Sequence, residues 1–172
     1  SAVGVTASKA APTGAYSVSV EALARSQSLA VRNVFSTTNE TVGTGTLTFT
    51  FGTTGYTSES DNANDTYDSF AAKAGVASTS ITIDSNNNSL TGIRDAINDA
   101  SFGVTAAIVK NGAVYQLLIS SDDTGVENSV QISVSDSGDS NNTDANGLSR
   151  LAFNASAGTT NVYQTVSGAD AA

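Results

Sequence analysis

The sequence contains no histidine, cysteine, methionine or tryptophan, and its single proline is Pro12. Without histidine there is no Ser-His-Asp or Cys-His arrangement, and no side chain that titrates near neutral pH at its ordinary pKa. With cysteine missing as well, zinc, haem, copper and iron–sulfur centres lose their usual ligands. Disulfide staples are excluded, so redox compartment leaves no trace in the chain. Basic residues are scarce too: 7 Lys and Arg against 16 Asp and Glu give a formal charge of −9. That balance repels phosphate backbones and anionic lipid, which argues against nucleic-acid binding and membrane insertion. No apolar run approaches the roughly 20 residues that a spanning helix needs.

What is present is polar and β-prone. The 172 residues suit one domain, or two small ones sharing strands. Ser, Thr, Asn and Gly fill a little under half of all positions, a composition common in extracellular bacterial surface and appendage proteins. With no initiator Met and no basic segment ahead of an apolar run, the chain reads as part of something larger. A structural or recognition protein is therefore the leading class.

Along the chain, residues 1–13 read as an opening strand with a turn at Thr13-Gly14. Tyr16, Val18, Val20, Ala22 and Ala24 then alternate with Ser17, Ser19 and Glu21, the period of a strand. Leu29, Val31, Val34 and Phe35 continue in extended form. Leu47, Phe49 and Phe51 alternate with Thr46, Thr48 and Thr50, a half-buried strand. From about Gly52 to Ser80 the chain turns polar and acidic, which predicts a long surface excursion with a helical turn around Tyr67 to Lys73.

Ile81 to Asp84 reads as a short strand, closed by Ser85-Asn86-Asn87-Asn88. Ser89 is placed to cap a helix, and Leu90, Ile93, Ile97 and Ala100 form its apolar stripe. Thr91, Arg94, Asp95, Asn98 and Asp99 lie off the stripe, and Gly103 is expected to stop the helix in the left-handed conformation. Val104 to Val109 and Val114 to Ile119 flank Asn111-Gly112, a strong hairpin signal. A loop made of those two residues pairs Ile108 with Tyr115, Ala106 with Leu117 and Val104 with Ile119, on the face the helix covers. Val130, Ile132 and Val134 mark another strand, and Leu148, Leu151 and Phe153 a final apolar cluster. The expected class is α+β, mainly β: antiparallel sheet with one principal amphipathic helix, at about 90–101, packed on it.

Candidate sites do not accumulate. Asn142, Asp144, Asn146 and Gly147 match the first half of a calcium loop, but its ninth position is Arg150 and its twelfth, which should be a bidentate Glu, is Phe153. The segment Asp136 to Gly147 therefore reads as a solvated loop. Asp122 with Asp123, Asp95 with Asp99, and Asp61 with Asp65 are close in sequence, yet no tryptophan or tyrosine cluster offers the sugar platform that glycosidase chemistry would need. Gly43 and Gly45 lack the third glycine of a dinucleotide fingerprint. Arg25, Arg32, Arg94 and Arg150 are dispersed, and pairing with the acidic loops is their ordinary reading. No catalytic, cofactor-binding or metal residue is assigned.

Two stretches carry a family resemblance. The first runs from Tyr16 to Val20 and Ala22 to Leu29, then Phe35-Ser36 and Val42 to Leu47. The second runs from Ile81 to Asp84, through Ser89 to Asn98, into Gly103 to Val109 and Leu117 to Gly125. In this order they resemble the flagellar filament cap family, also called hook-associated protein 2 or FliD. Asp95-Ala96-Ile97-Asn98 is similar to the flagellar hook IN motif.

The resemblance implies a piece of the cap's head, without the heptad-bearing terminal parts. It implies a parent that is exported by the flagellar secretion apparatus and self-associates as a ring at the extracellular filament tip. There it would promote flagellin polymerisation and prevent flagellin loss. Residues 43–154 are expected to form a compact unit holding the hook IN motif, with 1–42 and 155–172 as flanking strands of a second. Acidic loops at 56–68 and 136–146 would then face solvent or neighbouring subunits. Two other readings compete: an adhesin module binding host mucin or glycans through Tyr56, Tyr67 and Tyr163, and a calcium-stabilised adhesin repeat. No internal period supports the repeat.

Overall fold

The computed structural model describes residues 4, 6–12, 14–15, 17–58 and 64–171. Eight strands and one α-helix follow in the order β1 (Ser28–Val31), β2 (Gly45–Thr57), β3 (Thr66–Ala72), β4 (Thr79–Ile83), α1 (Leu90–Asp99), β5 (Val104–Asn111), β6 (Val114–Ser121), β7 (Ser129–Asp136) and β8 (Val162–Val166). Short 3₁₀ turns at Val126–Asn128 and Gly147–Leu151 flank β7. One sheet has the order β5-β6-β1-β8. In the other, β2 lies between β7 on one side and β3 and β4 on the other. All pairings are antiparallel. The chain is α+β and mainly β, as its patterning implies.

Both sheets and the helix contribute to one core. Leu29 and Val31 of β1, Leu47 and Phe49 of β2, Leu117 and Ile119 of β6 and Ile132 of β7 are buried together with Leu90, Ile93 and Ile97 of α1. β2, β6 and β7 alternate, so residues between their apolar ones turn away from the core, whereas on β1 Ala30 between Leu29 and Val31 is buried as well. On β2 those alternate positions are threonines, and Thr48 and Thr50 share hydroxyl hydrogen bonds with Ser80 (3.0 Å) and Ser78 (2.8 Å). The outer face of this sheet is thus wetted by neutral hydroxyls.

The helix begins where its sequence predicts. Ser89 Oγ accepts from Gly92 N at 3.0 Å, and Glu40 and Thr38 carbonyls accept from Leu90 N (3.0 Å) and Thr91 N (2.9 Å). The free N–H groups of the first turn are therefore satisfied by a cap and by a neighbouring turn. Its end differs from expectation. The first residue of positive φ after the helix is Ser101 at 47°, ahead of Gly103, which is also positive at 93°, and Ala100 is exposed, outside the apolar stripe. Gly92 is required by packing, since a Cβ there would sit 2.5 Å from Asn87 O. In an open helix Gly→Ala would gain about 1 kcal/mol. Here Gly92→Ala is expected to lose about 1–3 kcal/mol instead, by overpacking against the backbone. Urea denaturation reads that sign directly.

Three predicted elements are corrected by the fold. The alternating segment that opens at Tyr16, which itself lies outside the described residues, forms no strand over 17–24. Its Val18 and Leu23 stand 68% and 65% exposed, and its only ladder contact is the bridge from Arg25 to Ala169. Alternation makes a strand only where a partner edge is available. Likewise the described part of residues 1–13 forms no strand, and Thr13 lies outside the described residues. The predicted excursion from Gly52 to Ser80, with its helical turn at Tyr67 to Lys73, is a hairpin arm. β2 continues to Thr57, and β3 returns along it, pairing Thr57 with Thr66 and Gly52 with Ala72. Glu59 and Asp61 lie outside the described residues.

The β5–β6 register is also shifted. Asn111 pairs with Val114, so the loop is Gly112-Ala113, Ile108 faces Leu117 and Ala106 faces Ile119. Gly112 at φ 61° supplies the positive dihedral that the first central residue of a type II′ turn needs. A shift by two residues keeps every side chain on its face, which is why Val104, Ala106, Leu117 and Ile119 are still buried.

Candidate functional site

The residues with most polar chemistry gather at strand edges and at the seam between the sheets. An exposed strand edge invites pairing with a second chain, so the fate of each edge decides what this surface does. On β5, Asn98 of α1 acts as a surrogate strand: Ala106 N donates to Asn98 Oδ1 at 2.7 Å and Asn98 Nδ2 donates to Ala106 O at 3.0 Å. Asn98, off the apolar stripe as its spacing implies, thus ties helix to sheet. Its neighbour Asp95 pairs with Arg94 at 2.5 Å on the exposed side of the helix, away from Asp99.

The free edge of β7 is covered in the same manner. Ile132 and Phe153 exchange both backbone hydrogen bonds at 2.9 Å, Val130 N donates to Gln27 Oε1 at 2.7 Å, and Asp136 N donates to Asn142 Oδ1 at 2.8 Å. Gln27, wholly buried, also donates to Gln164 Oε1 of β8 at 2.7 Å and so links the two sheets. On β8 the Gln164 N–H donates to the Tyr56 hydroxyl at 3.1 Å.

The acidic segment after β7 is exposed over 137–142, as a solvated loop should be, but it is knotted around Asp136, whose burial that reading missed. Asp136 is 5% exposed and its carboxylate accepts from Gly138 N (2.7 Å), Leu148 N (2.6 Å) and Ser149 N (3.0 Å). Asn161, also buried, donates through Nδ2 to Asp144 O at 2.6 Å and Ser149 O at 2.9 Å. The half-matched calcium ligands are used inside this knot. Asn142 accepts from Asp136 N, and the Asp144 carboxyl is held below the usual carboxylate range, first by the Ser149 hydroxyl and then by Asn146. Phe153, at the twelfth position, is in the core, and Arg150 lies 4.4 Å over the Phe35 ring. Among the described residues no three His, Cys, Asp or Glu side chains group to hold a metal.

The remaining candidates separate. Asp65 is buried and accepts from the Tyr56 hydroxyl at 2.7 Å, so it is not free to act with Asp61, which lies outside the described residues. Asp122 accepts from Thr105 Oγ1 at 2.6 Å on the surface, and Asp123 is exposed. Arg32 donates to Thr159 O at 2.6 Å and covers the Tyr163 ring, while Arg150 approaches Glu40 at 3.8 Å. Arg32 thus meets a carbonyl and a ring, and Arg150 a ring and a carboxylate. Gly43 and Gly45 are packing glycines: a Cβ would meet Leu148 N at 2.4 Å and Ser135 O at 2.1 Å respectively.

The tyrosines proposed as glycan contacts are anchors. Tyr67 is 6% exposed and stands edge-on to Phe153 at 4.7 Å, and Tyr56 lies 6.0 Å from the same ring. Burial, joined at Tyr56 by the hydrogen bond to Asp65, pushes both phenols up to about 12. Below pH 10.0 the folded and unfolded chains both keep these protons; above it the unfolded chain loses them first. Stability is therefore expected to fall as pH rises from about 10 toward 12. Thermal melts across that window test it, and Tyr67→Phe should flatten the decline. A midpoint that stays level across the window would contradict the burial of these phenols.

Gln27, Gln164, Asp136 and Asn161, which hold the knot and the seam, were not singled out by sequence reasoning. Their immediate neighbours give no local signal: Gln27 lies between Ser26 and Ser28, and Asp136 between Ser135 and Ser137.

Comparison with known proteins identifies the architecture. No protein-family model matches the chain. The B-type flagellar hook-associated protein 2 of Pseudomonas aeruginosa is 33% identical over 149 residues, which is 86% of this chain and 26% of that protein. The chain thus spans about a quarter of the length of this curated relative. Among solved structures, the D2-D3 domains of the flagellar cap protein FliD from Escherichia coli superpose with a TM-score of 0.71 at 29% identity, covering 96% of this chain and 72% of that one. Those from Serratia marcescens give a TM-score of 0.63 at 31% identity, covering 88% and 68%. The chain belongs to the flagellar cap protein family, hook-associated protein 2, and matches the D2-D3 part of it.

Proposed function

We propose that the parent of this chain caps the distal end of the bacterial flagellar filament, where it promotes flagellin polymerisation and keeps flagellin from being lost. It is exported by the flagellar secretion apparatus, works outside the cell and self-associates as a ring. The superposition on the Escherichia coli cap domains over 96% of the chain carries this reading. The chain contributes part of the cap's head, a body that acts by shape and contact and makes or breaks no bond in its partner.

The geometry is consistent with such work. A protein held in several copies beside a growing polymer must not add strands to itself or to unfolded subunits. Asn98, Phe153, Gln27 and Tyr56 occupy edge positions that would otherwise be open to pairing. The hydroxyl face of β2 offers no apolar patch to a passing chain. The adhesin reading loses support, because Tyr56 is bonded to Asp65 and Gln164, Tyr67 packs on Phe153, and Arg32 covers the Tyr163 ring.

Deletion of the parent gene should abolish filaments while monomeric flagellin accumulates in the medium. Soft-agar motility and immunoblots of culture supernatant report both. A deletion strain that swims like the wild type would reject the cap role.

A further inference from the structure

The dipeptide Asn-Gly occurs twice, at 111–112 and 146–147, and the fold treats the two copies differently. Asn111 and Gly112 are exposed at the tip of the β5–β6 hairpin, where the Asn111–Val114 rung is the last of the ladder. A terminal rung opens by fraying, without disturbing the buried Ala106–Ile119 rung further along. The space around Gly112 is open: an added Cβ would meet nothing within 4 Å. Lys110 brings a positive charge next to this pair. The second copy is held on both sides. Asn146 donates to both carboxylate oxygens of Asp144, from N at 3.1 Å and from Nδ2 at 2.9 Å. Gly147 is pressed against Asp136, where a Cβ would lie 2.4 Å from Oδ2, and Leu148 N donates to that same oxygen.

We propose that Asn111 is a site of spontaneous deamidation in the folded protein and that the Asp136 knot protects Asn146 from the same reaction. Gly112 N, its proton lost to a base in solvent, attacks Asn111 Cγ and closes a five-membered imide. The Cγ–Nδ2 bond breaks, and the nitrogen leaves as ammonia with a proton from water. Water then adds to one imide carbonyl, and the ring opens to aspartate or, through its other C–N bond, to isoaspartate. One water is consumed and one ammonia released, with no oxidant, reductant or enzyme. Glycine lets the ring close because it carries no side chain to crowd the attacking nitrogen. Closure also turns the main chain about the asparagine, which a fraying hairpin end permits and the knot does not. Charge acts in the same sense. The anionic nitrogen that attacks is favoured beside Lys110 and disfavoured near the Asp136 and Asp144 carboxylates. Isoaspartate adds a methylene to the main chain at the closing rung, so the pairing with Val114 is lost, and either product makes the net charge one unit more negative than −9.

Incubation of the folded protein in mildly alkaline buffer tests this, followed by peptide mapping and by labelling with an isoaspartyl methyltransferase. The peptide containing Asn111 should gain the mass of a hydroxyl replacing an amino group and should take up methyl label. Its rate should exceed that of the Asn146 peptide at least about tenfold. In urea the two rates should converge, because both dipeptides then have the same chain freedom. Asn111→Gln keeps a carboxamide but would have to close a six-membered ring, so it should abolish label in that peptide with an unchanged circular dichroism spectrum. Equal rates at Asn111 and Asn146 in the folded protein overturn the proposal, and so does an Asn111 peptide that stays unmodified while the protein is folded. A rate ratio that persists undiminished in urea overturns the protection assigned to the knot.

Discussion

Asp136→Ala is expected to destabilise the fold by about 3–5 kcal/mol, a large part of the total stability of an ordinary domain. The alanine leaves three N–H groups without their acceptor, and two of them belong to Leu148 and Ser149, both wholly buried. A hydrogen bond to a charged acceptor contributes about 1.5–3 kcal/mol, and an orphaned buried donor adds its own desolvation cost. The backbone has little room to compensate. Gly147 sits at φ 53° with space for a Cβ only 2.4 Å from Asp136 Oδ2, so the turn is already pressed against the carboxylate. Asp136→Asn keeps one acceptor oxygen and should lose about half as much. Urea denaturation gives the energies, and amide exchange over residues 137–151 should rise in the alanine variant before the rest of the chain opens. A loss below about 1 kcal/mol would mean that the knot contributes little to the fold.

Phe153→Ala should cost about 3–5 kcal/mol by a different route, the loss of buried surface and the cavity left behind. The Phe153 ring is fully buried and touches Tyr67 edge-on, with the Tyr56 ring 6.0 Å away. Its backbone also closes the β7 edge through Ile132, and alanine retains that part. Phe153→Leu, which keeps most of the volume, should lose clearly less than the alanine variant. The comparison separates the two losses: equal damage from both variants would point to the ring geometry, and none from either would contradict the packing described. Because Asp136 and Phe153 flank the same 3₁₀ turn at Gly147–Leu151, the double variant should depart from additivity.

Much of the scaffold was legible because its period and its punctuation agree. Ser89 and the three-and-four spacing of Leu90, Ile93 and Ile97 define the helix, and Thr/Leu/Phe alternation over 46–51 defines the middle of β2. Where local signals were mixed, the reading went astray. Thr-Thr-Gly-Tyr-Thr at 53–57 carries no apolar alternation, yet it is strand because β3 lies beside it. Residues 17–24 alternate cleanly, yet they lie exposed without a ladder. The family was legible too, from the ordered motifs.

The candidate site was less legible, because its residues act through partners far away in the chain. Gln27 meets Gln164 and Val130, Asn161 meets Asp144 and Ser149, and Tyr56 meets Gln164. Polar residues in a Ser/Thr/Asn-rich chain look alike until burial selects a few of them, and burial is a property of the packed molecule.

What the sequence determined alone is therefore of two kinds. Composition removed histidine, cysteine and basic-patch chemistry, and periodicity set the class and the faces of the main elements, since both act through each residue's own side chain and its near neighbours. The tertiary structure decided which alternating segments became strands, which acidic residues went inside and which edges were closed. Those outcomes depend on hydrogen-bond partners brought together from distant positions, and a buried polar group is tolerable only where such a partner waits for it.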